Sequence, residues 1–145
     1  MDSRVGRIGH GQYHIIYSSQ PTTSIAASRV FSRTVSVKEI DMALIQEPWY
    51  REGSIRGLNI PGYTLFSMSG TDLELVSLRG TRQACMLPGF SCRDLVAVLI
   101  KYNEEVAERR LVVCFAYLPY NSKDPPPSKE LEKLVRYCEN ENLYL

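Results

Sequence analysis

Two apolar segments, residues 94–102 and residues 111–117, constrain the fold of this chain more than any other part of its sequence. Neither segment alternates polar with apolar residues. A strand with one solvated face shows such alternation, so both faces of these two strands must be covered. Residues 103–110, which are mostly polar, are short enough to join them as a hairpin loop. The two segments therefore predict neighbouring strands in a sheet that is buried on both sides.

Amphipathic helices are predicted before and after these strands. In residues 24–37 apolar side chains recur at the three- and four-residue spacing of an α-helix. The apolar face expected there consists of Ala26, Ala27, Val30, Phe31 and Val35. Residues 128–140 begin with the N-cap residue Ser128 and carry an apolar face of Leu131, Leu134, Val135 and Cys138. Because such helices pack on sheets, we expect an α/β (α+β) fold, a four-layer αββα sandwich with two face-to-face sheets inside.

The rest of the chain predicts shorter elements and one domain boundary. Residues 1–12 are rich in Gly and Arg without periodicity, which predicts a flexible N-terminal arm and leaves 13–145 as a single domain. Short strands are expected at residues 13–17, 41–45 and 63–66. Gly and Pro predict a loop at 51–62, and an irregular polar connection is expected at 67–80. Residues 143–145 resemble the start of another strand, so we expect a C-terminally truncated domain.

A carboxylate directly follows the predicted strand at residues 41–45. The apolar run stops at Gln46 and Glu47, and Pro48 prevents the strand from continuing. Glu47 would therefore lie at the carboxyl end of a strand, where ligands and metals bind in layered α/β folds. The alternative is an ordinary polar residue in a turn. Tyr117 lies at the end of a predicted buried strand, and the alternative there is an ordinary aromatic side chain that reaches the surface.

Composition limits the remaining function classes. A net charge of +1 predicts no strong attraction to nucleic acid from bulk charge, so DNA binding would have to depend on a local site. The four cysteines show no CxxC spacing, which favours buried, reduced thiols over disulfides or a zinc site. No apolar stretch approaches the roughly 18 residues of a membrane span, and the N-terminus lacks the apolar region of a signal peptide. We expect an intracellular, soluble protein.

Several of these motifs together resemble a known family. Residues 40–57, which include Gln46-Glu47-Pro48-Trp49, and residues 111–144 resemble the endonuclease domain of site-specific non-LTR retrotransposon polyproteins. That domain is of the apurinic/apyrimidinic endonuclease type within the endonuclease/exonuclease/phosphatase superfamily. The resemblance covers roughly residues 16–145, in the order of the family's N-terminal half. It implies a DNase I-like αββα sandwich, Mg²⁺-dependent hydrolysis of DNA phosphodiesters, and nicking of a target site in the nucleus.

The resemblance also implies roles for individual residues. Glu47 matches the glutamate that ligates Mg²⁺, a hard cation that takes one or two carboxylates together with water and phosphate oxygens. Tyr117 matches a tyrosine that contacts the phosphate, where a phenol can donate to a non-bridging oxygen. Gln20 stands where the family has a metal-holding asparagine. It is one methylene longer and is followed by Pro21, which makes it a weaker candidate.

The family's other catalytic residues do not occur in this chain. They are an Asp and an Asn on the strand after the second helix and a later Asp-His pair, and the sequence has no His after His14. Asp94 and Asp124 are the nearest spare carboxylates, and their positions are typical of solvated turn residues. Hydrolysis needs a base for the attacking water and a second carboxylate at the metal. We therefore expect weak Mg²⁺ binding and no catalysis by the chain alone.

The sequence leaves three functions open. The first is a fragment of a Mg²⁺-dependent DNA endonuclease domain. The second is a non-catalytic interaction module whose exposed sheet edge pairs with a partner or with itself. The third is a transposon relic without a selected role. A genomic continuation that encodes the missing Asp, Asn and His residues would favour the first, and a stable, soluble dimer of this chain would favour the second.

Overall fold

A computed structural model describes most of the chain. The described residues are 2–8, 11–18, 24–68, 75–80, 83–103, 107–117, 123 and 127–145. Their strands are β1 (Asp2–Ile8), β2 (Gly11–Ser18), β3 (Met42–Ile45), β4 (Tyr50–Arg51), β5 (Ser54–Ile55), β6 (Tyr63–Ser67), β7 (Leu75–Arg79), β8 (Gln83–Met86), β9 (Leu95–Asn103) and β10 (Glu108–Ala116). The helices are α1 (Ile25–Val37), α2 (Lys129–Asn140) and a 3₁₀ turn, Pro88–Phe90.

The strands form two main sheets and one small hairpin. The first sheet has five strands in the order β1-β2-β3-β7-β6, and the second has three in the order β10-β9-β8. β4 and β5 form a separate two-stranded hairpin. β2 and β3 are parallel, with Ser18 opposite Ile45, whereas the other neighbouring strands are antiparallel. A parallel pair needs a crossover, and α1 provides it between β2 and β3.

The first sheet is covered by α1 on one face and by the second sheet on the other. Successive side chains of a strand point to opposite faces. Ala43 and Ile45 of β3 pack with Phe31 and Val35 of α1. Met42, which directly precedes Ala43, points to the opposite face. It packs with the side chains that the second sheet directs towards the first, which are Val96, Val98, Ile100 and Phe115.

The second sheet is covered by α2 on its other face. Leu95 and Ala97 of β9 and Val112 of β10 pack with Leu134 and Cys138 of α2. The layers are therefore α1, the five-stranded sheet, the three-stranded sheet and α2. This mixed α/β arrangement confirms the four-layer sandwich that the sequence predicted.

The two long apolar strands and the second helix lie where the sequence predicted them. β9 and β10 are antiparallel neighbours, paired from Asn103 and Glu108 to Leu95 and Ala116. α2 begins after Ser128, whose hydroxyl accepts a hydrogen bond from the Leu131 N–H at 3.3 Å. Both predictions are confirmed. Tyr144 forms a single parallel bridge to Leu111, so the strand expected at 143–145 is present only as one bridge.

The buried face of α1 differs from the predicted one. The helix begins and ends where the sequence indicated, with the Ser24 hydroxyl as its N-cap. Its buried residues, however, are Ser28, Phe31 and Val35, whereas Ala26, Ala27 and Val30 are exposed. The backbone of Gly57 packs closely against Ser28. A Cβ at residue 57 would lie only 2.6 Å from the Ser28 Cβ, so this contact requires glycine. Spacing alone could not reveal this contact because Gly57 lies outside the helix.

Four segments predicted to be irregular or left without an element contain strands. β7 lies between β3 and β6 within residues 67–80, and β8 pairs with β9. In residues 51–62 the β4–β5 hairpin turns at Glu52 and Gly53, whose φ angles of 52° and 77° are both positive, as a type I′ turn requires. β1 pairs with β2 where the sequence predicted an arm without regular structure. The division of the chain at residue 12 stays a prediction.

All four cysteines are free thiols, although they differ in exposure. Cys138 is buried, Cys92 and Cys114 are half-buried, and Cys85 is exposed, which corrects the expectation that all are buried. Burial raises the pKa of Cys114 and of Cys138, and for Cys114 the neighbouring Cys138 raises it further. No helix in the described part of the chain is long and apolar enough to span a membrane.

Candidate active site

Glu47 lies at the carboxyl end of β3, as the sequence predicted. β3 is central in its sheet, and Ile45, its last residue, is 0% exposed. After β3, Gln46 is half-buried, Glu47 is exposed and Pro48 is buried. Because β2 runs parallel to β3 and Ser18 pairs with Ile45, both strands end at the same edge of the sheet. Gln20 lies outside the described residues, so its proximity to Glu47 stays a prediction.

The backbone at Glu47 is in the left-handed region, with φ of 50°. Among the described residues, the other non-glycine residues in this region are Glu39, Glu52 and Asn142. Glu39 and Asn142 directly follow the C-caps of α1 and α2, where this conformation is common, and Glu52 lies in the hairpin turn. Glu47 follows no helix C-cap and lies in no hairpin turn, so neither reason explains its conformation. The conformation costs about 1–2 kcal/mol for a residue with a Cβ, and such strain concentrates at functional sites.

The hairpin that follows Glu47 carries basic side chains that the sequence analysis did not single out. Arg51 and Arg56 both pair with the Glu52 carboxylate, at 3.6 and 3.5 Å, and all three side chains are largely exposed. The Arg56 N–H donates to the Trp49 carbonyl at 2.9 Å, which ties the hairpin to the segment after Glu47. The sequence signal was the Glu52-Gly53 turn between flanking arginines.

Tyr117 follows β10 in the second sheet. Its N–H donates to the Asp94 carbonyl at 2.8 Å, and the residue is 41% exposed. The Asp94 carboxylate lies 3.8 Å from Arg93 in the turn before β9, which agrees with its interpretation as a turn residue. The phenol of Tyr117 is thus on the surface at a strand end. Whether it shares one cleft with Glu47 stays a prediction, and Asp124 lies outside the described residues.

The carboxylate of Glu47 has the chemistry of a Mg²⁺ ligand, but it does not form a closed site with other described residues. No group of three or more His, Cys, Asp and Glu side chains in the described ranges could hold a metal ion. Mg²⁺ accepts one or two protein carboxylates and completes its octahedron with water and phosphate oxygens. The donor at this edge therefore fits a weak Mg²⁺ site that a phosphate would complete.

Comparison with known proteins agrees with this architecture. No protein-family model matches the chain, and no curated protein matches its sequence. Its structure is similar to the endonuclease domain of TRAS1, a telomere-specific non-LTR retrotransposon, with a TM-score of 0.61 and 16% identity over 89% of this chain and 54% of that one. The chain has the fold of a retrotransposon endonuclease domain. It spans about half the length of that domain.

At 16% identity this similarity concerns the fold alone. It confirms the endonuclease-like resemblance inferred from residues 40–57 and 111–144, and the DNase I-like fold class that the resemblance implied. The roles expected of Glu47 and Tyr117 stay predictions.

Proposed function

We propose that this chain forms one half of a Mg²⁺-dependent DNA endonuclease domain that nicks a chromosomal target site in the nucleus during retrotransposition. The observation that carries the proposal is Glu47, an exposed carboxylate on a strained left-handed backbone at the end of a buried central strand. A glycine or asparagine would relieve that strain, and the retention of a glutamate there supports a use for its carboxylate. The fold shared with a retrotransposon endonuclease domain supports the choice of reaction.

The proposal gives each of four exposed side chains a distinct task. Glu47 holds the metal ion, which when bound neutralises charge on the phosphodiester and activates water. The phenol of Tyr117 donates to a non-bridging phosphate oxygen and positions the scissile bond. Arg51 and Arg56 bind flanking phosphates of the DNA. Their ion pairs with Glu52 are exposed and therefore weak, so phosphate can replace them at little cost.

Metal binding at Glu47 can be tested with Mn²⁺, which prefers the same oxygen ligands as Mg²⁺ and broadens nearby NMR signals. In the wild-type chain we expect Mn²⁺ to broaden the backbone amide signals of Gln46, Glu47 and Trp49. Glu47→Gln should remove this broadening because the amide is a much poorer ligand. Glu52→Gln is the matched control, since Glu52 is also an exposed glutamate with positive φ, and it should leave the broadening unchanged. Equal broadening in the Glu47→Gln variant would overturn the proposed metal site.

Nicking of plasmid DNA tests the catalytic part of the proposal. We expect no nicking by this chain in Mg²⁺ above the level seen in EDTA. Glu47 and Tyr117 supply neither a general base nor a second metal carboxylate, and Asp94 pairs with Arg93 in a turn. The assay compares wild type with Glu47→Ala in both buffers. EDTA-sensitive nicking that Glu47→Ala abolishes would contradict this expectation and would show that the chain contains the remaining catalytic groups.

A further inference from the structure

The β4–β5 hairpin is fixed to the domain by its backbone and by one of its faces. The Arg56 N–H donates to the Trp49 carbonyl at 2.9 Å, which extends the pairing of the two strands by one residue pair. Directly after it, the Gly57 carbonyl accepts a 2.7 Å hydrogen bond from the Ser32 hydroxyl of α1. Ile55 packs against the buried core between α1 and the first sheet. The hairpin backbone is therefore held in place, and rearrangements at its other face involve side chains alone.

Two arginines lie on that other face of the hairpin. Successive side chains of a strand point to opposite faces. The paired residues Tyr50 and Ile55 are each followed by an arginine. Arg51 and Arg56 therefore both lie on the face opposite Ile55. A single carboxylate meets both guanidinium groups there, because Glu52 Oε1 lies 3.6 Å from Arg51 Nε and Glu52 Oε2 lies 3.5 Å from Arg56 Nη2.

The residue that supplies this carboxylate does not suit the turn in which it lies. Glu52 is the first of the two turn residues, and its φ is 52°. A type I′ turn has positive φ at both central residues and favours Asn, Asp or Gly there. The Cβ of a glutamate makes that backbone conformation unfavourable. Turn propensity therefore does not account for Glu52, whereas the position of its carboxylate between two arginines suggests a use for it.

The Glu52 carboxylate has the geometry of a phosphate bound between the two arginines. One of its oxygens faces each guanidinium group, as two non-bridging oxygens of a phosphodiester do when arginines bind it. A phosphate of DNA can contact both Arg51 and Arg56 at that position only after the carboxylate has moved away. Carboxylate and phosphate therefore compete for the same two cations.

We propose that Glu52 is an internal competitor for DNA phosphate that lowers the affinity of the hairpin for DNA of any sequence. This inference rests on the DNA contact proposed above for Arg51 and Arg56. Phosphate contacts supply most of non-specific DNA binding and carry no sequence information. An internal competitor at such a contact weakens the hold of the chain on bulk DNA and leaves base recognition to other contacts. Glu52 thus determines how tightly this surface retains DNA.

Binding of a short fluorescein-labelled DNA duplex, measured by fluorescence anisotropy in EDTA, tests this role. At low salt Glu52→Gln should bind the duplex about three- to tenfold more tightly than wild type, because the two ion pairs that compete with phosphate are exposed and weak. The slope of the logarithm of affinity against the logarithm of salt concentration should become steeper by about one, since the hairpin then presents one more unopposed cation to phosphate.

Glu39→Gln is the matched control for this substitution. Glu39 is also an exposed glutamate with positive φ, 50°, and its carboxylate pairs with Arg79 at 3.1 Å. Its replacement changes the net charge by the same amount and also frees an arginine, but Glu39 lies before β3, whereas the hairpin follows β3. This variant should bind the duplex within about twofold of wild type.

A double variant, Arg51→Gln with Arg56→Gln, separates this inference from the DNA contact on which it rests. It should bind the duplex more weakly than wild type, and adding Glu52→Gln to it should bring no gain beyond that of Glu39→Gln. If the double variant binds as wild type does, the DNA contact itself is overturned, and the competition with it. If the double variant binds weakly but Glu52→Gln binds as wild type does, the contact stands and the competition is overturned. Equal gains from Glu52→Gln and Glu39→Gln, or a gain from Glu52→Gln that persists without the arginines, would also overturn it by assigning the effect to net charge.

Discussion

Replacing Gly57 with alanine is expected to destabilise the chain by about 2–5 kcal/mol. Gly57 has φ of 78°, which costs about 1–2 kcal/mol for a residue with a Cβ. The added Cβ would also lie 2.6 Å from the Cβ of Ser28, which is fully buried on α1. The Gly57 carbonyl accepts a 2.7 Å hydrogen bond from the Ser32 hydroxyl, so the loop cannot move away without losing it. Equilibrium unfolding in urea measures the loss.

Gly53→Ala is the matched control for this substitution. Gly53 has almost the same φ, 77°, but beyond its chain neighbours no heavy atom lies within 4 Å of the position that an alanine methyl would occupy. Only the conformational cost of about 1–2 kcal/mol should then appear. The difference between the two variants isolates the contact with Ser28. Equal losses would show that α1 and the Gly57 loop can separate freely, which would contradict the tight contact described above.

Replacing Val35 with alanine is expected to cost on the order of 2 kcal/mol of unfolding free energy. Val35 is 0% exposed and packs against Ala43 and Ile45 of β3, so the lost methyl groups leave a cavity between α1 and the sheet. Val30→Ala removes the same atoms from the same helix, but Val30 is 61% exposed. Its effect should stay within about 0.5 kcal/mol, because alanine also has the better helix propensity.

The pair of valine variants decides which face of α1 is buried. The sequence predicted Val30 and Val35 on one apolar face, whereas the structure buries only Val35. Urea unfolding of both variants measures the difference directly, provided that the unfolding free energy depends on urea concentration with the same slope in both. Similar losses for the two would indicate that α1 buries the face expected from the sequence and not the face of Ser28, Phe31 and Val35.

The parts of the fold that were predictable have strong local signals. β9 and β10 each contain a long apolar run, and such a run cannot be stable unless both faces are covered. α2 has an N-cap at Ser128 and a single apolar stripe, so its bounds could be read within the helix itself. Glu47 was predictable for the same reason, because an apolar run followed by Glu and Pro locates a strand end locally.

β7 was missed because its pairing with two neighbouring strands, and not a pattern in its own sequence, makes it a strand. Its five residues are preceded by a polar stretch, and they pair on one side with β3 and on the other with β6. The hairpin with Arg51 and Arg56 was missed because Gly53, Gly57 and Pro61 predict a loop equally well. The DNA contact proposed for its exposed arginines depends on this hairpin, which the structure and not the sequence revealed.

By itself the sequence determined which segments are buried on both faces, where α2 begins, and that a carboxylate follows a short apolar strand. These features depend on side chains within a few residues of one another. The tertiary structure decided which stripe of α1 is buried, that β7 lies between β3 and β6, and that Tyr144 returns to β10 beside Leu111. Those outcomes depend on contacts between residues far apart in the chain, such as Ser28 with Gly57 and Leu111 with Tyr144. A local sequence pattern carries no information about the energies of such contacts.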